Sequence, residues 1–518
     1  MIRQGFAIVA ALAMALSAGC TPKAPKSTEG EESLISHREE QKTRAQQVVD
    51  DMIDTWWTGT AAQGNVLPVR NGIYDENGGY MPWESAQLMS DLYTYWLIDG
   101  QPESGELVDR FRQQWNWTAE RLGRNLTGNC GLGPPSPAVD DAAWNAMYAM
   151  MTYHVLKAPA VQAAARLTIE NAYEAFKAAP PGAVDDTKDR STENGLWYPQ
   201  QPPSLGFETL RGEPDDNRFK SLYAAGLVMA ALDILLLAKQ DGRDWRSDPL
   251  WADTLGAYNW MEANLLRASA DTVDSAGESG SVPTLPKTIE DGLQNGESYT
   301  MSVHLADNLY WTDYNVDRTG ADAWGNKPGE KNGPDGGSRA SLHIEEASSF
   351  SYLGGGMAMA ISHARLYALT GEEKYLHRAV RTAQAFTDSP LYNRGGVLVN
   401  DRDAWNNGYF AGMYVQEVLS LPGIRSEDIE LIVRTGESAF QKCRFTLTAD
   451  MDLLNADDKR CQGKVFYRAE WGGGNAWTKN ADSPTQPTQI MTSGSTANMI
   501  LAGEYAKMLQ DQSRLQSR

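Results

Sequence analysis

Two adjacent carboxylates, Asp140 and Asp141, stand where a proline-rich stretch, Pro134-Pro135-Ser136-Pro137, gives way to a helical pattern. From Trp144 onward the apolar residues Trp144, Met147, Tyr148, Met151 and Val155 follow the i, i+3, i+4, i+7 spacing of one buried helix face. Asp140 and Asp141 fall four and three residues before Trp144, so they extend that inward stripe. An aspartate N-cap, favoured by the orphan N–H groups and the dipole at a helix start, accounts for one of them and not for both. Two carboxylates held close repel and the pKa of one rises. The pair then offers one protonated and one ionised member, the combination that glycosidic-bond cleavage requires. A second pair, Asp215-Asp216, stands in the same relation to Phe219. There the neighbouring cations Arg218 and Lys220 depress carboxylate pKa values and suit an ion-paired or sugar-binding role.

Such a pair must be held by a scaffold, and the periodicity predicts about twelve helices, near 37–57, 83–99, 105–122, 140–156, 160–178, 219–240, 248–267, 352–369, 372–387, 406–420, 426–442 and 488–509. They pair off. One member of each pair is rich in Ala, Gly and aromatics, as in Ser221-Leu222-Tyr223-Ala224-Ala225-Gly226-Leu227, and its partner carries more charge, as in Glu372-Glu373-Lys374-Tyr375-Leu376. Helices apolar all round belong inside and amphipathic ones outside, so the pattern predicts an all-α (α/α)6 toroid of six hairpins in an inner and an outer ring. No fixed repeat of solenoid length is visible. One long irregular insertion, 268–351, interrupts the helices. Its part 270–282 reads as flexible, and the aromatic stretch Asn308 to Asn315 is predicted to pack as a wall over one mouth of the ring. Of the sixteen tryptophans, Trp83, Trp197, Trp311, Trp405, Trp471 and Trp477 fall in loops or at helix starts. Singly such residues are most often core; together they suggest flat stacking surfaces for sugar rings.

The chain opens with Arg3, an apolar run from Phe6 to Leu16, and Leu16-Ser17-Ala18-Gly19-Cys20. This looks like a bacterial lipoprotein signal peptide over 1–19, with Cys20 as the lipidated first residue of the mature chain. Residues 20–36 read as a flexible tether, and 37–518 as the catalytic domain. The absence of an acidic residue at Thr21 leans towards the outer membrane of a Gram-negative-type bacterium, with the lipid as sole membrane contact. A formal net charge of −21 repels nucleic acid and suits a neutral or cationic ligand. With Cys20 spent on lipid, a Cys443–Cys461 disulfide closing a short loop is expected, and Cys130 is left as a buried thiol. No CxxC, HExxH, G-x-S-x-G, P-loop or dinucleotide fingerprint occurs, so neither a metal nor a cofactor is expected.

The residues resemble the glycoside hydrolase family 76 endo-α-1,6-mannanases over most of the mature chain. Val139-Asp140-Asp141-Ala142-Ala143-Trp144 is similar to that family's Asp-Asp-x-x-Trp signature. Pro82-Trp83-Glu84-Ser85-Ala86, Lys220 to Gly226, Ser349 to Gly355 and Leu366 to Leu376 follow in the family's order. Leu353, Gly354, Ala411 and Gln416 depart from it, standing where polar sugar-facing residues are usual. The resemblance implies an (α/α)6 toroid and a retaining glycoside hydrolase, a monomer without cofactor, acting on an α-mannan-like or related neutral polysaccharide. Asp140 is then the nucleophile and Asp141 the general acid/base, which in a retaining enzyme stand about 5–5.5 Å apart. Substrate contacts fall to Trp83, Glu84, Trp144, Lys220, Trp311, Asp313, Tyr352, Trp405 and Trp471. The alternatives are a catalytically silent glycan-binding lipoprotein, a transglycosidase, or another (α/α)6 carbohydrate-active enzyme.

Overall fold

The computed structural model of the chain describes residues 29–57, 69–70, 73–74, 82–121, 139–177, 195–196, 219–267, 288–292, 298–302, 308–310, 313–315, 340–341, 353–389, 392–398, 407–451, 453, 456, 459, 461–472 and 490–516. Two compact units divide it, Met1–Glu40 and Gln41–Arg518. In the first, the described residues belong to the helix α1, Glu29–Trp56. The second holds the rest of the described helices: α2 (Pro82–Ile98), α3 (Glu106–Arg121), α4 (Val139–Leu156), α5 (Pro159–Lys177), α6 (Ala225–Gln240), α7 (Pro249–Asn264), α8 (Leu353–Thr370), α9 (Glu373–Asp388), α10 (Ala411–Glu417), α11 (Ser426–Cys443) and α12 (Ile490–Gln516).

The even-numbered helices close a ring. α2 packs on α4, α4 on α6, α6 on α8, α8 on α10, α10 on α12, and α12 returns to α2. Around them α3 and α5 pack on α4, α7 on α6, α9 on α8 and α11 on α12. The fold is the all-α (α/α)6 toroid expected from the sequence. Burial separates the rings as composition requires. In α8 every residue from Leu353 to Leu366 is buried, whereas α9 buries one stripe, Tyr375, Leu376, Ala379, Thr382, Ala383 and Phe386. Leu222–Gln240 is long and apolar enough to cross a membrane, but 89% of it lies inside the protein, the mark of an inner-ring helix.

Several boundaries differ from the sequence reading, and α12 runs on to Gln516, beyond the expected 509. α1 starts at Glu29, within the stretch read as tether. Extending a nucleated helix by further residues costs little. The expected helix over 219–240 begins instead as a strand, Phe219–Ser221, followed by a 3₁₀ turn, Leu222–Ala224, because its first residues pair with Asp313–Asn315. The expected helix over 406–420 is confined to α10, and 407–410 form turns. Gly408 lies against α12, where its N–H donates to Ser495 Oγ at 2.8 Å and a Cβ would stand 1.8 Å from the Ser495 carbonyl oxygen. The expected disulfide is also absent. Cys443 and Cys461 are buried free thiols, and Cys443 Sγ donates to the Glu470 carbonyl at 3.0 Å. Burial pushes the Cys443 thiol up to about 12, which keeps it protonated and unreactive.

Connections alternate in length around the ring. Inner helices lead to the next outer helix through 99–105, 157–158, 241–248, 371–372 and 418–425. Outer helices lead to inner ones through 57–81, 122–138, 178–224, 265–352, 389–410 and 444–489. All the long connections therefore gather at the mouth where inner helices begin, the surface on which binding residues can be varied without cost to the ring.

The opposite end is closed by charge. Tyr93, His154, Asp233, Arg365, Glu417 and Tyr505 supply one side chain from each inner helix. Arg365 donates to both Glu417 oxygens at 2.8 and 2.6 Å and to the Met229 carbonyl at 2.7 Å, and lies 3.5 Å from Asp233. His154 Nε2 meets Asp233 Oδ2 at 2.8 Å. Burial alone would raise the Asp233 carboxyl, but His154 and Arg365 outweigh it and hold it at about 2.

Candidate active site

Asp140 lies in the first turn of α4, at the mouth of the ring, and is 7% exposed. The inward stripe read from the sequence holds, since Trp144, Met147, Tyr148, Met151 and Val155 are all buried. Asp141 occupies the same turn; its side chain is outside the described residues. One turn deeper, Trp144 stacks on Phe410 with centroids 5.7 Å apart and planes 7° off parallel, and meets Tyr409 edge-on. At Gly226 of α6 a Cβ would stand 3.1 Å from Ala143 Cβ and 3.2 Å from Phe410 Cζ, so the missing side chain lets α6, α4 and Phe410 meet in the middle of the ring. The result is a buried aromatic floor one turn below Asp140, and a low-dielectric floor strengthens any electrostatic interaction made above it.

The wall formed by α2 and α12 is polar. Gln87, Ser90, Asp91 and Thr94 occupy one stripe of α2, all buried. Asn498 Nδ2 donates to Ser90 Oγ at 2.7 Å and to the Tyr409 carbonyl at 2.8 Å, and its Oδ1 accepts from Thr94 Oγ1 at 2.7 Å. Gln87 Nε2 donates to Asp91 Oδ1 at 3.2 Å, while Asp91 Oδ2 and Gln87 Oε1 have no partner among the described residues. Burial raises the Asp91 carboxyl well above its ordinary value, against the lowering effect of its hydrogen bond from Gln87. Sequence reasoning missed it, although an acid on the buried stripe of an apolar helix is the same signal that singled out Asp140.

The rim is set by strands. Asp313–Asn315 lies between Phe219–Ser221 and Ala340–Ser341, both antiparallel to it, with Lys220 opposite Tyr314 and Asp313 opposite Ser221 and Ser341. The insertion thus reaches the start of α6, and its residues Leu309 and Tyr310 are buried. Lys220 and Asp313 are brought onto adjacent strands, and Trp83 and Glu84 lie in the first turn of α2; their side chains are outside the described residues. Trp311, Tyr352 and Trp405 lie outside the described residues altogether, as do Cys20, Cys130, Asp215 and Asp216. Tyr352 immediately precedes α8.

Two assignments are corrected. Trp471 is 0% exposed and donates Nε1–H to Thr496 Oγ1 at 3.0 Å, so it is a core residue bracing α12. Trp144 is 2% exposed and belongs to the floor. Neither presents a face to a sugar. Among the described residues no group of three or more His, Cys, Asp or Glu could hold a metal ion.

Fold and geometry together define an (α/α)6 toroid with a carboxylate in the first turn of an inner helix, at the mouth that carries the long connections. Solved structures share this fold. The GH76A α-1,6-mannanase from Salegentibacter sp. HEL1_6 matches with a TM-score of 0.54 at 12% identity, over 90% of this chain and 99% of that one. An inactive variant of that mannanase, with two consecutive aspartates replaced by asparagine and in complex with α-1,6-mannotriose, matches with a TM-score of 0.53 at 12% identity over the same shares. The glycoside hydrolase family 76 mannosidase Bt3792 from Bacteroides thetaiotaomicron VPI-5482 matches with a TM-score of 0.51 at 14% identity, over 92% of this chain and 100% of that one. No family model matches the chain, and no curated protein matches it in sequence.

Proposed function

We propose that this protein is a retaining glycoside hydrolase of the family 76 type, acting on an α-mannan-like neutral polysaccharide, most specifically an α-1,6-mannoside. The observation that carries the reading is the pair Asp140-Asp141 in the first turn of an inner helix, at the long-loop mouth of a ring shared with mannanases. One of those mannanases is inactive when two consecutive aspartates are replaced.

In this reading the Asp140 carboxylate attacks the anomeric carbon while Asp141 protonates the departing glycosidic oxygen. A covalent glycosyl–enzyme forms, and Asp141, now ionised, takes a proton from the water that hydrolyses it. The orphan N–H groups of the first turn of α4 favour a carboxylate at this position. The aromatic floor of Trp144 and Phe410 excludes water from beneath the reacting sugar. Trp83, Glu84, Lys220, Trp311, Asp313, Tyr352 and Trp405 are the rim residues that would hold the remaining sugar units. Cys20 tethers the enzyme to the outer membrane through lipid.

Chromatography of products from a panel of α-mannans and neutral glucans tests the reading. Shorter α-1,6-linked mannooligosaccharides as the main products are expected. Binding of mannan without any product would refute hydrolysis, and release of sugars from glucan alone would refute the substrate.

A further inference from the structure

Where α7, α8 and α9 meet, a buried polar cluster ties the insertion to the helical ring. Its node is the Tyr310 hydroxyl. That hydroxyl donates to Glu262 Oε1 of α7 and accepts from Arg378 Nη2 of α9 at 3.0 Å. It also meets His363 Nε2 of α8 at 2.8 Å. Because the hydroxyl proton goes to Glu262, His363 must carry its own proton on Nε2 and donate. Its Nδ1 then accepts from Tyr258 OH at 3.0 Å. Arg378 uses Nε on Glu262 Oε2 at 2.9 Å and Nη1 on Asn308 Oδ1 at 3.1 Å. Asn308 holds a left-handed φ of 64°, a conformation that asparagine tolerates better than most residues.

Every member is satisfied, and burial keeps His363 neutral, pushing it down to about 3. The Arg378 guanidinium holds Glu262 below its ordinary value although burial alone would raise it.

The ring does not need this cluster in order to close. Apolar side chains of similar volume would hold α7, α8 and α9 together at least as firmly, since desolvation offsets most of what a buried ion pair gains. What the cluster supplies is a single geometry for one segment of the insertion. Leu309–Tyr310 pairs with Leu266–Arg267 just beyond α7, and three residues later Asp313–Asn315 pairs with Phe219–Ser221 at the start of α6. Three residues span at most about 10 Å of chain, so fixing Tyr310 confines the rim strand.

We propose that the Tyr310–His363–Glu262–Arg378 cluster is a pin that sets the position of the rim strand Asp313–Asn315, and through it the recognition of sugar units remote from the Asp140-Asp141 pair. The second half of the proposal rests on the hydrolase reading above; the first does not. None of the four residues touches the reacting atoms, and their role is positioning.

Tyr310→Phe and Arg378→Met are the test variants, with Arg378→Lys as the conservative control. Backbone hydrogen exchange at 309–310, 313–315 and 219–221 should accelerate at least tenfold in Tyr310→Phe and Arg378→Met, with α2, α4 and α12 exchanging as in the parent. Arg378→Lys should fall between them and the parent. For mannooligosaccharides long enough to reach the rim, KM should rise several-fold with kcat within about twofold, while a short aryl mannoside should be cleaved unchanged. Unchanged exchange at 313–315 in both folded variants, or an equal acceleration throughout the ring, would overturn the pin. If parent and variants all fail to cleave mannan while the exchange pattern changes as described, the pin stands and the hydrolase reading falls.

Discussion

Replacing Arg365 by methionine removes the one cation shared by two carboxylates at the closed end of the ring. Arg365 is 5% exposed, and its loss strands Glu417, which receives two of its bonds, and takes from Asp233 a guanidinium 3.5 Å away. Breaking a buried pair by removing one partner costs about 3–5 kcal/mol, mostly the desolvation of the charge left behind. Unfolding entropy scales at about 2 cal/mol/K per residue, so a ring of this length loses about 1 °C of Tm per kcal/mol. The expected drop is about 3–5 °C by differential scanning calorimetry near neutral pH. Removing both partners in Arg365→Met/Glu417→Leu should cost less than the two single losses together, by about 1–3 kcal/mol, because the double variant leaves no stranded partner between them. The cluster also predicts acid sensitivity. A carboxyl held at about 2 stabilises the fold fully above its unfolded pKa near 4, and that contribution disappears as pH falls from about 4 to 2. Replacing Asp233 by asparagine should flatten this part of the stability profile. A Tm for Arg365→Met within 1 °C of the parent, or strict additivity in the double variant, would refute the assignment of the closed end to this network.

Gly412 lies where a Cβ would stand 2.0 Å from Thr94 Oγ1, so Gly412→Ala should break the Thr94–Asn498–Ser90 network and destabilise the ring by about 1–3 kcal/mol in denaturant titration, with no change in m-value. Cys443 and Cys461 should resist alkylation in the native protein and react only after unfolding, read by mass spectrometry without reductant; a Cys443–Cys461 linked peptide would contradict the structure. Cys20→Ala should release the protein from membranes, since a thiol is needed to carry lipid, while its melting temperature stays unchanged; a membrane-bound Cys20→Ala protein would point to another anchor.

The ring was legible because its inner helices are apolar on every face and its outer ones on a single stripe, a difference that survives in sequence without any contact information. What failed were features set by partners distant in the chain. Phe219 to Ser221 carries a helical pattern yet is held extended by Asp313–Asn315, and residues 407–410 are bent away from helix by the approach of Gly408 to Ser495. Trp471 and Trp144 illustrate a second limit: a tryptophan near a loop or helix start has the composition of a sugar platform, and only packing reveals that both are core. Arg365, His363 and Glu262 read as isolated polar residues in otherwise apolar stretches. Their partners lie on other helices, so no spacing rule connects them. The catalytic candidate was legible for the opposite reason, because a pair of consecutive acids that opens an apolar helical pattern is informative within a single turn.

The direct test of the central claim is the kcat of folded Asp140→Asn and Asp141→Asn on α-1,6-mannooligosaccharides, beside Asp215→Asn and Asp216→Asn. Loss of the nucleophile abolishes the covalent step, so Asp140→Asn should lose more than about a thousandfold, equivalent to over 4 kcal/mol of barrier. Asp141→Asn should lose comparably on natural glycans and recover in part on substrates whose leaving groups need no protonation. Asp215→Asn and Asp216→Asn should act through KM or stability alone. Near-native kcat in Asp140→Asn and Asp141→Asn, with activity abolished in folded Asp215→Asn or Asp216→Asn, would contradict the account.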